Sequence, residues 1–167
     1  MSSVTPYDPL RIVETLGRHG VRYVLIGATA ARLQGFARVT ADADISPARD
    51  VDNIQRLAVA LRELNARIFV DGIVEGIPFE IDPVSLSRAE IWNLITDAGR
   101  LDVIYQPLGT HGYDDLTQNA VKFQIREYSV EAASITDIIR CKRASDRVQD
   151  RADIPLLEAL QQRLSEF

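Results

Sequence analysis

The sequence predicts a mixed α/β (α+β) fold: one small mixed β-sheet packed against helices, with helices closing the chain at its C-terminus. Two observations predict it. Short apolar runs of strand length, such as Tyr23-Val24-Leu25-Ile26, alternate with longer segments whose apolar residues recur at helical spacing. The 167 residues are 46 % apolar and 26 % charged, the balance of a globular chain with a core of its own. No repeat, linker or low-complexity tract divides the chain, so residues 1–167 are expected to form a single domain.

Taken in order, Asp8 to His19 reads as a helix, with Leu10, Ile12, Val13 and Leu16 roughly on one face and Gly20 ending it. Tyr23 to Ile26 is a buried strand, and Gly27 leads into a helix over Ala28 to Gln34. Val39 to Ile45 reads as a second strand, broken by Ser46-Pro47. Asp50 to Asn65 is the clearest helix, because Ile54, Leu57, Ala58, Leu61 and Leu64 keep helical spacing. Ile68 to Ile81 suits a hairpin turning within Gly72 to Gly76. Ser87 with Glu90 has the spacing of a capping box, which predicts a short helix through Leu94. Arg100 to Tyr105 is a strand, Pro107 to His111 a loop, and Asp114 to Ala120 helical. Val121 to Ala133 carries two short strands, and Thr136 to Phe167 is helical with a break near Asp150 to Pro155.

Charge and cysteine content narrow the function classes. The net charge of −5 disfavours a general grip on nucleic acid, which comes from Lys and Arg neutralising phosphates, although a local basic stripe remains compatible with it. The single cysteine, Cys141, allows no intramolecular disulfide, which points to a cytoplasmic setting. The opening Met1-Ser2-Ser3-Val4-Thr5-Pro6 lacks the basic-then-apolar pattern of a signal peptide, and no apolar run is long enough to span a bilayer, so no membrane partner is expected.

The chemistry concentrates between Gly27 and Ile45. On a strand, residues i and i+2 share a face, so Thr40, Asp42 and Asp44 are expected side by side, the two carboxylates roughly 7 Å apart. Like charges at that range repel unless a cation lies between them. Oxygen ligands of this kind select hard cations such as Mg2+, which keeps positions open for phosphate oxygens. Upstream, Gly27 lets backbone approach an anion closely, and the helix from Ala28 aims free N–H groups at it. An anion cradle followed by a carboxylate pair suits phosphoryl or nucleotidyl transfer.

An apolar strand, a glycine, a short helix and then Asp-x-Asp on a strand resembles the signature of DNA polymerase β-like nucleotidyltransferases. The fuller pattern of Gly27, Ala30, Gly35, Arg38, Thr40, Asp42 and Asp44 is similar to small bacterial proteins related to AbiEii- and MenT-type toxins. Gly99-Arg100-Leu101-Asp102-Val103 looks like the strand of a third carboxylate in that family, and Ser134 to Ala144, containing Lys142, looks like its helix near the end. The resemblance spans scattered motifs from Arg22 to Leu160. The sequence departs from the pattern at Ala28, where relatives have Gly or Ser, and at Gln149, where they often have Lys.

The resemblance implies a nucleotidyltransferase fold and a two-metal transfer of a nucleotide from a nucleoside triphosphate to a hydroxyl, with Mg2+ ions about 4 Å apart. It implies that Asp42, Asp44 and Asp102 are catalytic and hold the metal. It also implies that Gly27, Ala28, Thr29, Arg38, Thr40 and Lys142 serve the nucleotide. The acceptor it suggests is an RNA or tRNA end in a toxin–antitoxin setting, with a cognate antitoxin as partner. A protein or small-molecule acceptor, or a nucleotide-binding module without turnover, are the alternatives. Asp82 competes with Asp102 for the third carboxylate, but Asp before Pro is more often a turn residue. Arg140, Arg143, Arg147 and Arg151 form a stripe at helical spacing that suits either a phosphate backbone or a solvated face. His19 and His111 stand without cysteine partners, which excludes a zinc site of the usual kind.

Overall fold

A computed structural model describes residues 5–167, so Met1 to Val4 of the N-terminal reading lie outside the described residues. The chain begins with α1 (Pro9–Arg18), capped by the Asp8 carboxylate on the Arg11 N–H, and continues as β1 (Tyr23–Ile26), α2 (Gly27–Leu33), β2 (Asp42–Pro47) and α3 (Val51–Glu63). The hairpin β3 (Arg67–Val70) and β4 (Ile73–Ile77) follows, then α4 (Pro83–Leu86), β5 (Ile91–Thr96), β6 (Gly99–Ile104) and α5 (Tyr113–Leu116). A second hairpin, β7 (Val121–Ile125) and β8 (Tyr128–Ala132), leads to α6 (Ile135–Ser145) and α7 (Val148–Ser165).

All the described strands join one mixed sheet of eight, larger than expected, in the order β4-β3-β5-β6-β2-β1-β8-β7. The β1/β8 and β2/β6 pairs are parallel and the others antiparallel. In the centre, Ala43 and Ile45 of β2 and Leu101 and Val103 of β6 are buried in the same core as Leu57, Ala58 and Leu61 of α3. The residues between them, Asp42, Asp44 and Asp102, emerge on the opposite face, as strand alternation requires.

Four local expectations need correction. The helix predicted from Ser87 to Leu94 is absent. Asp82 instead caps α4 by accepting from the Ser85 N–H, Pro83 starts the helix, and the chain enters β5 at Ile91. The Ser87/Glu90 spacing is outweighed by an Asp-Pro helix start and by antiparallel pairing of β5 with β6 along all six residues from Ile91 to Thr96. The second strand starts at Asp42 rather than Val39 and runs on through Pro47, which is at its end against Tyr23. The helix expected from Asp114 to Ala120 covers only Tyr113–Leu116. Finally, the C-terminal break falls at Asp146 and Arg147. Asp146 is left-handed (φ 50°), and Asp150 accepts from the Arg147 N–H at 3.1 Å in a capping box that restarts the helix. Pro155 lies inside α7.

Candidate active site

The parallel pairing of β2 with β6 sets Asp44 directly beside Asp102 and Asp42 beside Arg100. One carboxylate oxygen from each of Asp42, Asp44 and Asp102 lies within 4.8 Å of the others, and all three side chains are partly buried. Opposite ligands of a cation with bonds of about 2.0–2.6 Å stand about 4–5 Å apart, so a single ion is within reach of all three. The donors are oxygens alone, the chemistry that hard divalent cations select.

The electrostatics carry the same message. Burial pushes the Asp44 carboxyl up to about 8, and the charges of Asp42 and then Asp102 add to the rise. Burial raises Asp102 as well, opposed by Arg100, whose guanidinium reaches Asp102 Oδ1 at 3.3 Å. Arg100 also lies over the Phe69 ring, 3.6 Å from its centroid. The cluster thus holds more negative charge than its protein neighbours neutralise, which is the condition a bound cation relieves.

Gly27 fits this site for a steric reason. Its φ is +63°, and a Cβ built on it would stand 2.5 Å from Asp44 Oδ2. The backbone at the start of α2 therefore lies against the carboxylate itself. Ala28 follows in the first turn. Thr29 donates to the Asp42 carbonyl at 3.1 Å, and Thr40 donates to Asp42 Oδ1 at 2.8 Å. Thr40 precedes β2 instead of sharing its face with Asp42 and Asp44, and its hydroxyl reaches the carboxylate from the loop.

Lys142 of α6 lies at 3.3 Å from Asp150 and 3.0 Å from Asp153 of α7, and Arg38 pairs with the same Asp153. Both aspartates are nearly fully buried, so this network ties α6, α7 and the loop before β2 together. Asp82 serves its helix cap, outside the cluster. The arginine stripe is split by the α6–α7 break, and each member has a carboxylate partner: Arg140 with Asp115 and Asp137, Arg143 with Glu158, Arg147 with Asp150, Arg151 with Asp146. His19 pairs with Glu63 at 2.8 Å.

The three carboxylates open into a cleft of about 790 Å³. Gly27, Lys142 and Arg147 line one flank; Ile91, Asn93 and Gln106 line another. Sequence reasoning assigned no role to Arg100, Asn93 or Gln106. Arg100 was detectable two residues before Asp102, on the same strand face. Asn93 is masked in the sequence because the Ser87/Glu90 spacing predicts helix where β5 forms.

No family model matches the chain, and no curated protein matches it. Among solved structures, the chain is similar to a protein from Thermotoga maritima described as a candidate nucleotidyltransferase. The two are 15 % identical, with a TM-score of 0.48 over 94 % of this chain and 90 % of that one.

Proposed function

We propose that the protein is a Mg2+-dependent nucleotidyltransferase that moves a nucleoside monophosphate from a nucleoside triphosphate to an acceptor hydroxyl. The observation that carries this reading is the convergence of Asp42, Asp44 and Asp102 from neighbouring parallel strands to within 4.8 Å, beside a glycine where a Cβ would collide with Asp44. In this reading the three carboxylates hold the metal. When bound, the metal neutralises phosphate charge and lowers the barrier to attack by a hydroxyl.

The chain's own groups have separable tasks. Thr29 and Thr40 hold Asp42 in place through its carbonyl and carboxylate. Arg100 holds Asp102 through Oδ1, leaving its other oxygen to accept a proton from the acceptor hydroxyl. Gly27, Ala28 and the first turn of α2 receive the phosphates, and Lys142, fixed by Asp150 and Asp153, adds a positioned charge on that flank. Arg38 acts through Asp153 on the orientation of Lys142. A cytoplasmic toxin–antitoxin setting with a cognate antitoxin is the wider form of the proposal, drawn from the sequence resemblance.

Calorimetric titration with Mg2+, and then with each nucleoside triphosphate in Mg2+, tests the reading directly. Binding of Mg2+ and Mg2+-dependent binding of nucleotide are expected, and Asp42→Asn should remove both. Nucleotide binding that is indifferent to Mg2+ and to Asp42→Asn would sink the proposal.

A further inference from the structure

The three carboxylates of the cluster are not held alike. Asp44 lies between Ile26 of β1 and Asp102 of β6, and Asp102 lies between Asp44 and Asn93 of β5, so each is flanked by a paired strand on both sides. Asp42 is paired on one side alone, with Arg100, because the β1 ladder ends at Ile26 and Asp44. Hydroxyls hold it instead. Thr29 donates to the Asp42 carbonyl at 3.1 Å, and Thr40 donates to the Asp42 carboxylate at 2.8 Å. The position of Asp42 in the cluster therefore depends on what fixes those hydroxyls.

Behind Thr29 stands Tyr7, whose hydroxyl is 3.4 Å from Thr29 Oγ1. Thr29 has a single hydroxyl proton, and it is given to the Asp42 carbonyl, so Tyr7 is the donor and the order runs from Tyr7 to Thr29 to Asp42. In such a chain each bond polarises and strengthens the next. The segment before α1 is fastened where this requires. The Asp8 N–H donates to the Ala98 carbonyl at 2.9 Å, and Arg11 reaches the Asp97 carbonyl at 3.2 Å. Gly99 leaves the room: a Cβ there would stand 2.9 Å from Tyr7 Cα and 3.2 Å from its ring. Burial raises the Tyr7 phenol above its ordinary value, the Thr29 hydrogen bond opposes the rise, and the negative charges of Asp42 and Asp44 add to it. Tyr7 does not line the cleft, so its contact with the site is through Thr29. Anchoring the segment takes only the ring and the backbone bonds; the hydroxyl has no partner but Thr29 among the described residues.

We propose that Tyr7 is a positioning residue of the cation site: it fixes the Thr29 hydroxyl, and through it Asp42, at the spacing that one divalent ion requires. The inference rests on the reading of Asp42, Asp44 and Asp102 as the cation ligands. It extends the site to the segment before α1, ahead of every other residue assigned to it. Without the Tyr7 hydroxyl, Thr29 regains rotamer freedom and its bond to the Asp42 carbonyl weakens. Asp42 then leaves the geometry that the strand ladders keep for the other two ligands. The loss falls on metal affinity rather than on the fold, since the Tyr7 ring stays against Gly99.

Calorimetric titration of Mg2+ into the natural protein, Tyr7→Phe, Thr29→Val and the double variant tests this. Tyr7→Phe removes the hydroxyl and keeps the ring, and should weaken Mg2+ binding about three- to tenfold. In the Thr29→Val background the same change should shift the dissociation constant by less than about twofold, because the chain of hydroxyls is already broken. The unfolding temperature of Tyr7→Phe in EDTA should stay within about 4 °C of the natural protein's. Unchanged Mg2+ affinity in Tyr7→Phe overturns the inference, as does an equal weakening with and without the Thr29 hydroxyl. A fall in unfolding temperature beyond that range marks a merely structural residue and also overturns it. A natural protein that binds no Mg2+ is a different failure: it removes the nucleotidyl-transfer reading itself, and the role of Tyr7 falls with it.

Discussion

On β2 and β6, side chains one residue apart meet opposite environments. Ala43, Ile45, Leu101 and Val103 point into the core and are at most 2 % exposed. Asp42, Asp44 and Asp102 point the other way, into the cleft, and crowd like charges together. The inner face gains free energy from every apolar atom removed from water. The cleft face spends part of it, because three carboxylates within 4.8 Å repel one another and two are desolvated as well. The difference teaches that these strands are stable because of one face and useful because of the other, and the two are separable by mutation.

The sharpest way to test that separation is Asp44→Asn. Under the proposed function, nucleotide transfer should fall on the order of 10³-fold as one of the three proposed metal ligands is lost. The metal-free fold, by contrast, should become more stable at neutral pH. The sign follows from the raised carboxyl: between 3.8 and about 8 the folded state holds a proton that the unfolded state has released. Metal-free stability therefore declines as pH rises through that window. Thermal melts in EDTA across pH 4 to 8 should show this decline for the natural protein and a flatter course for the variant, and Mg2+ should restore the natural protein at the alkaline end. A variant that is less stable than the natural protein at every pH would contradict the comparison.

Leu101→Ala makes the complementary test on the inner face. It should cost about 2–5 kcal/mol by denaturant unfolding, as a fully buried leucine leaves a cavity. Mg2+ affinity of the molecules that remain folded should stay within about twofold, since no ligand is touched. Gly27→Ala sits at the seam between the two faces and should have the smallest effect on stability, about 1–3 kcal/mol, from the left-handed backbone and the contact with Asp44. Its larger consequence should be weaker Mg2+ binding in calorimetry, as Asp44 is displaced.

Much of the fold and the centre of the site were legible in the chain. The helical spacing of Ile54, Leu57 and Leu61 is unambiguous, and Tyr23 to Ile26 is a strand at its predicted bounds. The two-residue period makes Asp42 and Asp44 share a face whatever the strand's start, so the error at Val39 did not disturb that pair. The segment from Asp82 to Leu94 failed because two local start signals competed, Asp82-Pro83 and Ser87/Glu90, and pairing with β6 decided between them.

The amino-acid order alone therefore determined local periods: which segments coil, which extend, and which carboxylates sit two apart on one strand. It also determined that Gly27, with no side chain, directly follows the first strand. Only the tertiary structure decided that β6 lies parallel beside β2, bringing Asp102 to Asp44 across 57 intervening residues of sequence. It likewise decided that Arg38 and Lys142 meet at Asp153, and that Asn93 faces the cleft. The physical reason is one of range. Helical and strand periods arise from neighbouring dihedral angles, whereas strand order and ion-pair choice arise from contacts between distant segments, settled only when the whole core closes.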